Sequence, residues 1–138
     1  LMRIELGYPD PKSERLLLTG QNRHQLIQTL TAQITPQSLQ QLQQRITKVH
    51  VSGALLDYCL AIINFTRQST EYHCGLSPRA GLALLTAAKA WAFMGQRDAV
   101  IPEDVQAVLA AVAGHRLRPG NTDSDAIVAP ILAKVAVH

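Results

Sequence analysis

Gly75–Val105, GLSPRAGLALLTAAKAWAFMGQRDAVIPEDV, is the stretch whose reading decides the fold. Ser77-Pro78 is a helix start, because a serine oxygen accepts from the free amides of the first turn and proline suits the first helical position. Leu84, Leu85, Ala88, Trp91 and Ala92 then share one face at helical spacing. The charged turn Arg97-Asp98 follows. Pro102 with Glu103 and Asp104 opens another helix, in which Val105, Val108, Leu109 and Val112 fall at i, i+3, i+4 and i+7. Its acidic first turn suits the helix dipole. Ile101 has no side-chain oxygen to cap that helix, which leaves its start less well satisfied.

Toward the N-terminus the same signals repeat. Ser52 caps a helix whose wide apolar face holds Leu55, Leu56, Cys59, Ile62 and Ile63, and this helix is expected to be central. Thr35-Pro36 starts one with Leu39, Leu42, Ile46 and Val49 on a stripe and its glutamines toward water. Residues Asn22 to Gln33 read either as a short helix or as a packed loop. Asp10 caps a helix with Pro11 at its first position, ending near Gly20. Leu1 to Leu6, LMRIEL, alternates apolar and charged like a half-buried strand, yet nothing later offers it a partner. We read it as the last strand of a preceding domain, followed by a hinge at Gly7-Tyr8-Pro9. Toward the C-terminus, Pro119-Gly120-Asn121 predicts a turn. A last helix is expected over Asp125 to Val135, kinked or split by Pro130.

Composition agrees with this reading. Of 138 residues, 47% are hydrophobic but only 4% aromatic, an aliphatic, Ala-rich balance that favours packed helices over a sandwich. The expected fold is an all-α bundle of about five or six helices preceded by the orphan strand, with residues 1–9 as strand and hinge and 10–138 as the helical domain. No apolar run is long enough for a membrane span, and no signal-peptide layout is visible. Two cysteines, Cys59 and Cys74, are too few for a disulfide framework, so a cytoplasmic setting is expected. His73-Cys74 with His50 or Cys59 fits no common zinc spacing, so no metal is expected. The net charge of +3 permits an anionic partner, but the basic residues are scattered.

The order LMRIELGYP, VS..L..Y...I...TR at Val51 to Arg67, Gly75 to Val105, and HRL at His115 to Leu117 resembles the MoxR family of AAA+ ATPases. The resemblance runs from Leu1 to about Leu117. It implies a lid that closes over ATP and Mg held by an upstream AAA+ core. The phosphate-binding loop G-x-x-x-x-G-K-[ST] is absent from this sequence, so the chain alone is expected to be inactive. The family's partners would be neighbouring subunits of a ring oligomer and von Willebrand factor A-type proteins, and its work chaperone-like remodelling or complex assembly.

Arg79 is the leading candidate for a catalytic and nucleotide-binding role. A cation at the second position of a helix opposes the dipole by roughly 0.3–1 kcal/mol, so a purely structural helix would prefer an acid there. A guanidinium beside free amides makes a local anion site. The resemblance implies that this arginine is the second sensor, which touches the terminal phosphates. The plainer alternatives are a solvated arginine or a pair with Glu71. Tyr8 and Pro9 match the family's hinge and imply a contact to the adenine. Arg67 reads either as a cation favoured at a helix C-terminus or, as the resemblance implies, as a contact to the core or a neighbouring subunit. His115-Arg116 suggests only helix termination. The alternative function is a free-standing basic helical module that binds nucleic acid or an acidic protein; for the lid itself no nucleic acid is expected.

Overall fold

The computed structural model describes residues 1–20, 27–117 and 124–137. The chain divides into two compact units, Glu5–Leu42 and Leu1–Ile4 with Gln43–His138. The fold is all-α, and the described residues hold no strand. The alternation of residues 1–6 therefore builds no ladder, because a strand needs a neighbour to take its hydrogen bonds. Instead the Arg3 amide donates to the Ala111 carbonyl at 2.8 Å.

In the smaller unit, α1 spans Pro11–Thr19. Asp10 caps it as expected, accepting from the amides of Lys12 and Ser13 and from the Ser13 hydroxyl. The Ser13 hydroxyl, then the amides, hold the Asp10 carboxyl below its usual range. Of the ambiguous Asn22 to Gln33 stretch, residues 21–26 lie outside the described residues and 27–29 form a helical turn. Helix α2, Pro36–Thr47, begins where Thr35 Oγ1 accepts from the Ser38 amide at 3.1 Å. Its apolar stripe is only partly covered: Leu39 is exposed, Leu42 and Ile46 are half-buried, and Val49 beyond the helix is buried.

The larger unit holds the core. Helix α3 is Gly53–Gln68, capped by Ser52, and α4 is Pro78–Met94, capped by Ser77. Helix α5, Pro102–Leu109, runs through a π-helical turn at Ala110–Gly114 into the short α6, His115–Leu117. Helix α7 is Ser124–Lys134. As expected, α3 touches α4, α5 and α7, but the tightest seam is between α4 and α5. Ala80, Ala83, Ala87, Ala88 and Ala92 line the buried side of α4 with Leu84. The close approach these alanines allow leaves no room for an indole. Trp91, expected on that face, is 46% exposed, and Leu56 of α3 also stays partly exposed. Pro130 neither splits nor ends α7, since Ile127, Val128 and Ile131 anchor the helix on both sides of it. The expected turn at Pro119-Gly120-Asn121 lies outside the described residues.

The connections are also tied. Gln96 sits at φ 58°, in the left-handed position that follows many helix ends, and the Arg97 amide returns to the Ala92 carbonyl. His50 and Ala99 form an isolated parallel bridge, through His50 N to Asp98 O at 2.7 Å and Val100 N to His50 O at 3.0 Å.

Candidate functional site

The start of α4 is held in place by the end of α3. Thr66, buried, donates its hydroxyl to the Ile63 carbonyl at 2.7 Å and accepts from the Leu76 amide at 3.0 Å. Arg67 Nε donates to the Leu76 carbonyl at 2.9 Å. Both backbone groups of Leu76 are thus taken by consecutive side chains of one helix turn. This gives the Thr66-Arg67 pair a structural purpose: Arg67 fixes the α3–α4 connection within its own unit.

Arg79 follows within a turn. Ser77 Oγ accepts from the Ala80 amide at 3.2 Å, Pro78 takes the first helical position, and Arg79 takes the second, exposed. The pairing with Glu71 does not form, because Glu71 bonds Lys134 at 2.9 Å. Among the described residues the Arg79 guanidinium has no hydrogen-bond or ion-pair partner. It lines a cleft of about 330 Å³ together with Leu1, Ser77, Ala80, Leu82, Ala83, Thr86 and Arg116. Two guanidinium groups therefore share a cleft whose walls, among the described residues, carry no carboxylate.

Arg116 is the residue that sequence reading missed. HRL looks like a helix ending, and only the folded chain brings it beside α4. Arg116 donates to the Val112 carbonyl and, at 3.0 Å, to the Leu1 carbonyl. Its neighbour His115 has a buried Nδ1 without a partner among the described residues. Burial, and then the Arg116 charge, push the His115 pKa down. Tyr8 and Pro9 belong to the smaller unit, where Tyr8 is fully exposed at 100%.

The charged turn is structural, as its sequence suggested. Arg97 forks onto both Asp104 oxygens at 2.6 Å, and Asp104 also accepts from the Ile101 amide at 2.9 Å. That last bond supplies half of a reciprocal cap, which is how a helix led by isoleucine is still satisfied. The Arg97 fork, and then the Ile101 amide, outweigh burial and lower the Asp104 pKa. A wider groove of about 740 Å³ lies by Arg45, Lys48, Phe93 and Met94. Its cations stand at helix ends, where they are favoured structurally, and Arg45 stacks over Phe93. Cys59 is core, its thiol pKa raised by burial. Among the described residues no three of His, Cys, Asp or Glu are grouped to hold a metal, and no helix is long and apolar enough to cross a membrane.

Residues 64–131 match the family model described as the AAA lid domain, which defines the class of this helical unit. YeaC of Bacillus subtilis, an uncharacterized protein, is 32% identical over 99% of the chain, and the chain covers 45% of it. The chaperone MoxR1 of Mycobacterium tuberculosis is 34% identical over 85% of the chain, which covers 33% of that protein. A crystal structure from Cytophaga hutchinsonii, provisionally described as an ATPase, superposes with a TM-score of 0.76 at 27% identity, over 99% of this chain and 46% of that one. The chain carries a AAA lid segment and is similar there to MoxR proteins of the AAA+ ATPases. It spans less than half the length of these relatives.

Proposed function

We propose that this lid closes over ATP and Mg bound by a core preceding it in the same protein, and that Arg79 reads the terminal phosphates. In this reading residues 1–9 are the last core strand and the hinge, residues 10–138 form the lid, and Tyr8 and Pro9 lie beside the adenine. The observation that carries it is the unpaired Arg79, exposed at an N-terminal helix position where its charge is locally unfavourable and fixed by the Thr66-Arg67 hold on Leu76. A terminal phosphate touching Arg79 favours the closed lid, and its loss frees the lid, so nucleotide state becomes domain position. In a ring oligomer that swing would drive chaperone-like remodelling or complex assembly, with von Willebrand factor A-type proteins as partners and a cytoplasmic setting. Without the core the chain holds one wall of the site and does not turn over ATP.

The test is Arg79→Ala in the intact ATPase. The melt of the lid should move by no more than roughly 0.5 kcal/mol, as for other exposed positions. ATP turnover should fall about ten- to a hundredfold, the worth of a charged contact of about 1.5–3 kcal/mol in the transition state. Unchanged turnover would refute the sensor role. Arg79→Lys should recover only part of the rate, because an ammonium lacks the planar fork.

A further inference from the structure

We propose that Arg116 is a second phosphate-binding cation, which acts with Arg79 on the same terminal phosphates from across the cleft. The inference rests on the reading of Arg79 given above and adds a residue to it. Its basis is the composition of the cleft: among the described residues two guanidinium groups line it, no carboxylate does, and Ala80 and Ala83 are among its other walls. Two like charges lining one cleft favour an anion that enters between them. A polyphosphate end, with several acceptor oxygens and more than one negative charge, fits that space better than a single carboxylate.

Arg116 is held for this task without being used up. Two of its N–H groups go to the carbonyls of Val112 and Leu1. A guanidinium has five donors in a rigid fork, so others remain for a ligand. Carbonyl partners orient the group but leave its charge uncancelled, whereas Arg97 has its charge answered by Asp104. Arg79 and Arg116 stand about 37 residues apart in the sequence and belong to two separate helical rods. Bridging them with one phosphate group would therefore also hold those rods in register.

The experiment compares affinities of the intact ATPase for a non-hydrolysable ATP analogue and for ADP, in the parent protein, Arg79→Ala, Arg116→Ala and the double variant. Inorganic phosphate is a further probe. Each single change should weaken binding of the triphosphate by about tenfold while leaving ADP nearly unaffected. The double change should cost less than the product of the two, because the sites share a ligand. Arg116→Lys should restore part of the triphosphate preference. If phosphate binds at the same two arginines while their loss leaves the triphosphate affinity unchanged, the cleft binds phosphate from another source, and assignment to the nucleotide is overturned. If Arg116→Ala leaves the triphosphate-to-diphosphate ratio unchanged while Arg79→Ala lowers it, Arg116 is only a latch and the sensor reading stands. If neither change moves the ratio, both readings fall. Should Arg116→Ala not fold, Arg116→Gln keeps donors for the two carbonyls without the charge, and the same ratio decides.

Discussion

A Cβ built on Gly75 would lie 2.5 Å from Cγ of Arg67 and 2.6 Å from its Cα, closer than carbon atoms in real proteins approach. The chain between α3 and α4 thus passes directly over the last turn of α3. Gly75→Ala should force the backbone apart and cost about 1–3 kcal/mol. Because the displaced segment leads into Ser77 and Arg79, the ATP turnover proposed for the intact protein should fall as well. A variant that melts like the parent would show that the connection is free to shift.

Thr66→Val keeps the shape and removes the oxygen that accepts from the Leu76 amide. The amide is buried, so the loss should be about 1–3 kcal/mol, the usual cost of an unsatisfied buried group. Thr66→Ser keeps the oxygen and should lose much less. Denaturant titration of the two variants side by side distinguishes the hydrogen bond from the lost methyl group.

Asp104 gives the lid an acid limit. Its side chain is 2% exposed, and its pKa is lowered by the Arg97 fork and the Ile101 amide. The folded state therefore holds its proton less tightly than the unfolded state. The stabilisation is present above the ordinary aspartate pKa of about 4 and fades as pH falls through the lowered folded value. Asp104→Ala should cost roughly 1–3 kcal/mol at neutral pH and flatten this part of the stability profile. An unchanged acid slope in the variant would show that other carboxylates dominate it.

His115 works in a higher window with the same sign. Burial and the Arg116 charge depress its folded pKa, so the unfolded chain takes up the proton first. Stability should be full above roughly pH 6.5 and decline as pH falls toward the lower folded value. His115→Phe should remove that decline. Melts at pH 7.5 and pH 5.5 check it, and an equal drop in both proteins would exclude His115 as the cause.

The binding-module alternative makes its own forecast. If the basic charge served nucleic acid, the isolated chain would bind DNA with submicromolar, sequence-dependent affinity. We expect only generic attraction, with Kd around 10⁻⁴–10⁻⁶ M at physiological salt. Fluorescence anisotropy with two unrelated duplexes separates the two outcomes.

The caps were legible because they are local. Asp10, Thr35, Ser52 and Ser77 each bond an amide two or three residues on, within the reach of a sequence pattern. Arg79 was legible for a related reason, since its charge is wrong for its helix position. The Asp104 cap was half-visible: the weak start at Ile101 could be read, its repair could not. Arg116 and Trp91 were hidden for another reason. Whether a side chain meets a cleft or water depends on how closely two rods approach, and that is a property of the packed pair, not of either helix's own spacing. The alternation of residues 1–6 suggests a strand, and among the described residues it forms none.

The π-helical turn at Ala110–Gly114 has a geometric consequence. An α-helix advances about 100° per residue, and a π turn admits one residue more than the α count. All that follows it is rotated by about that angle relative to an unbroken helix. The turn works as a phase shifter: it decides that Leu117 enters the core while Arg116 meets the cleft. Removing one alanine from Ala110, Ala111 or Ala113 would restore regular winding and still leave a sound helix. Because the π turn absorbs that extra residue, the deletion would leave Arg116 at the cleft and Leu117 in the core. In this rod the π turn stores one residue of length, so a deletion there would shorten the chain without changing which atoms face the cleft.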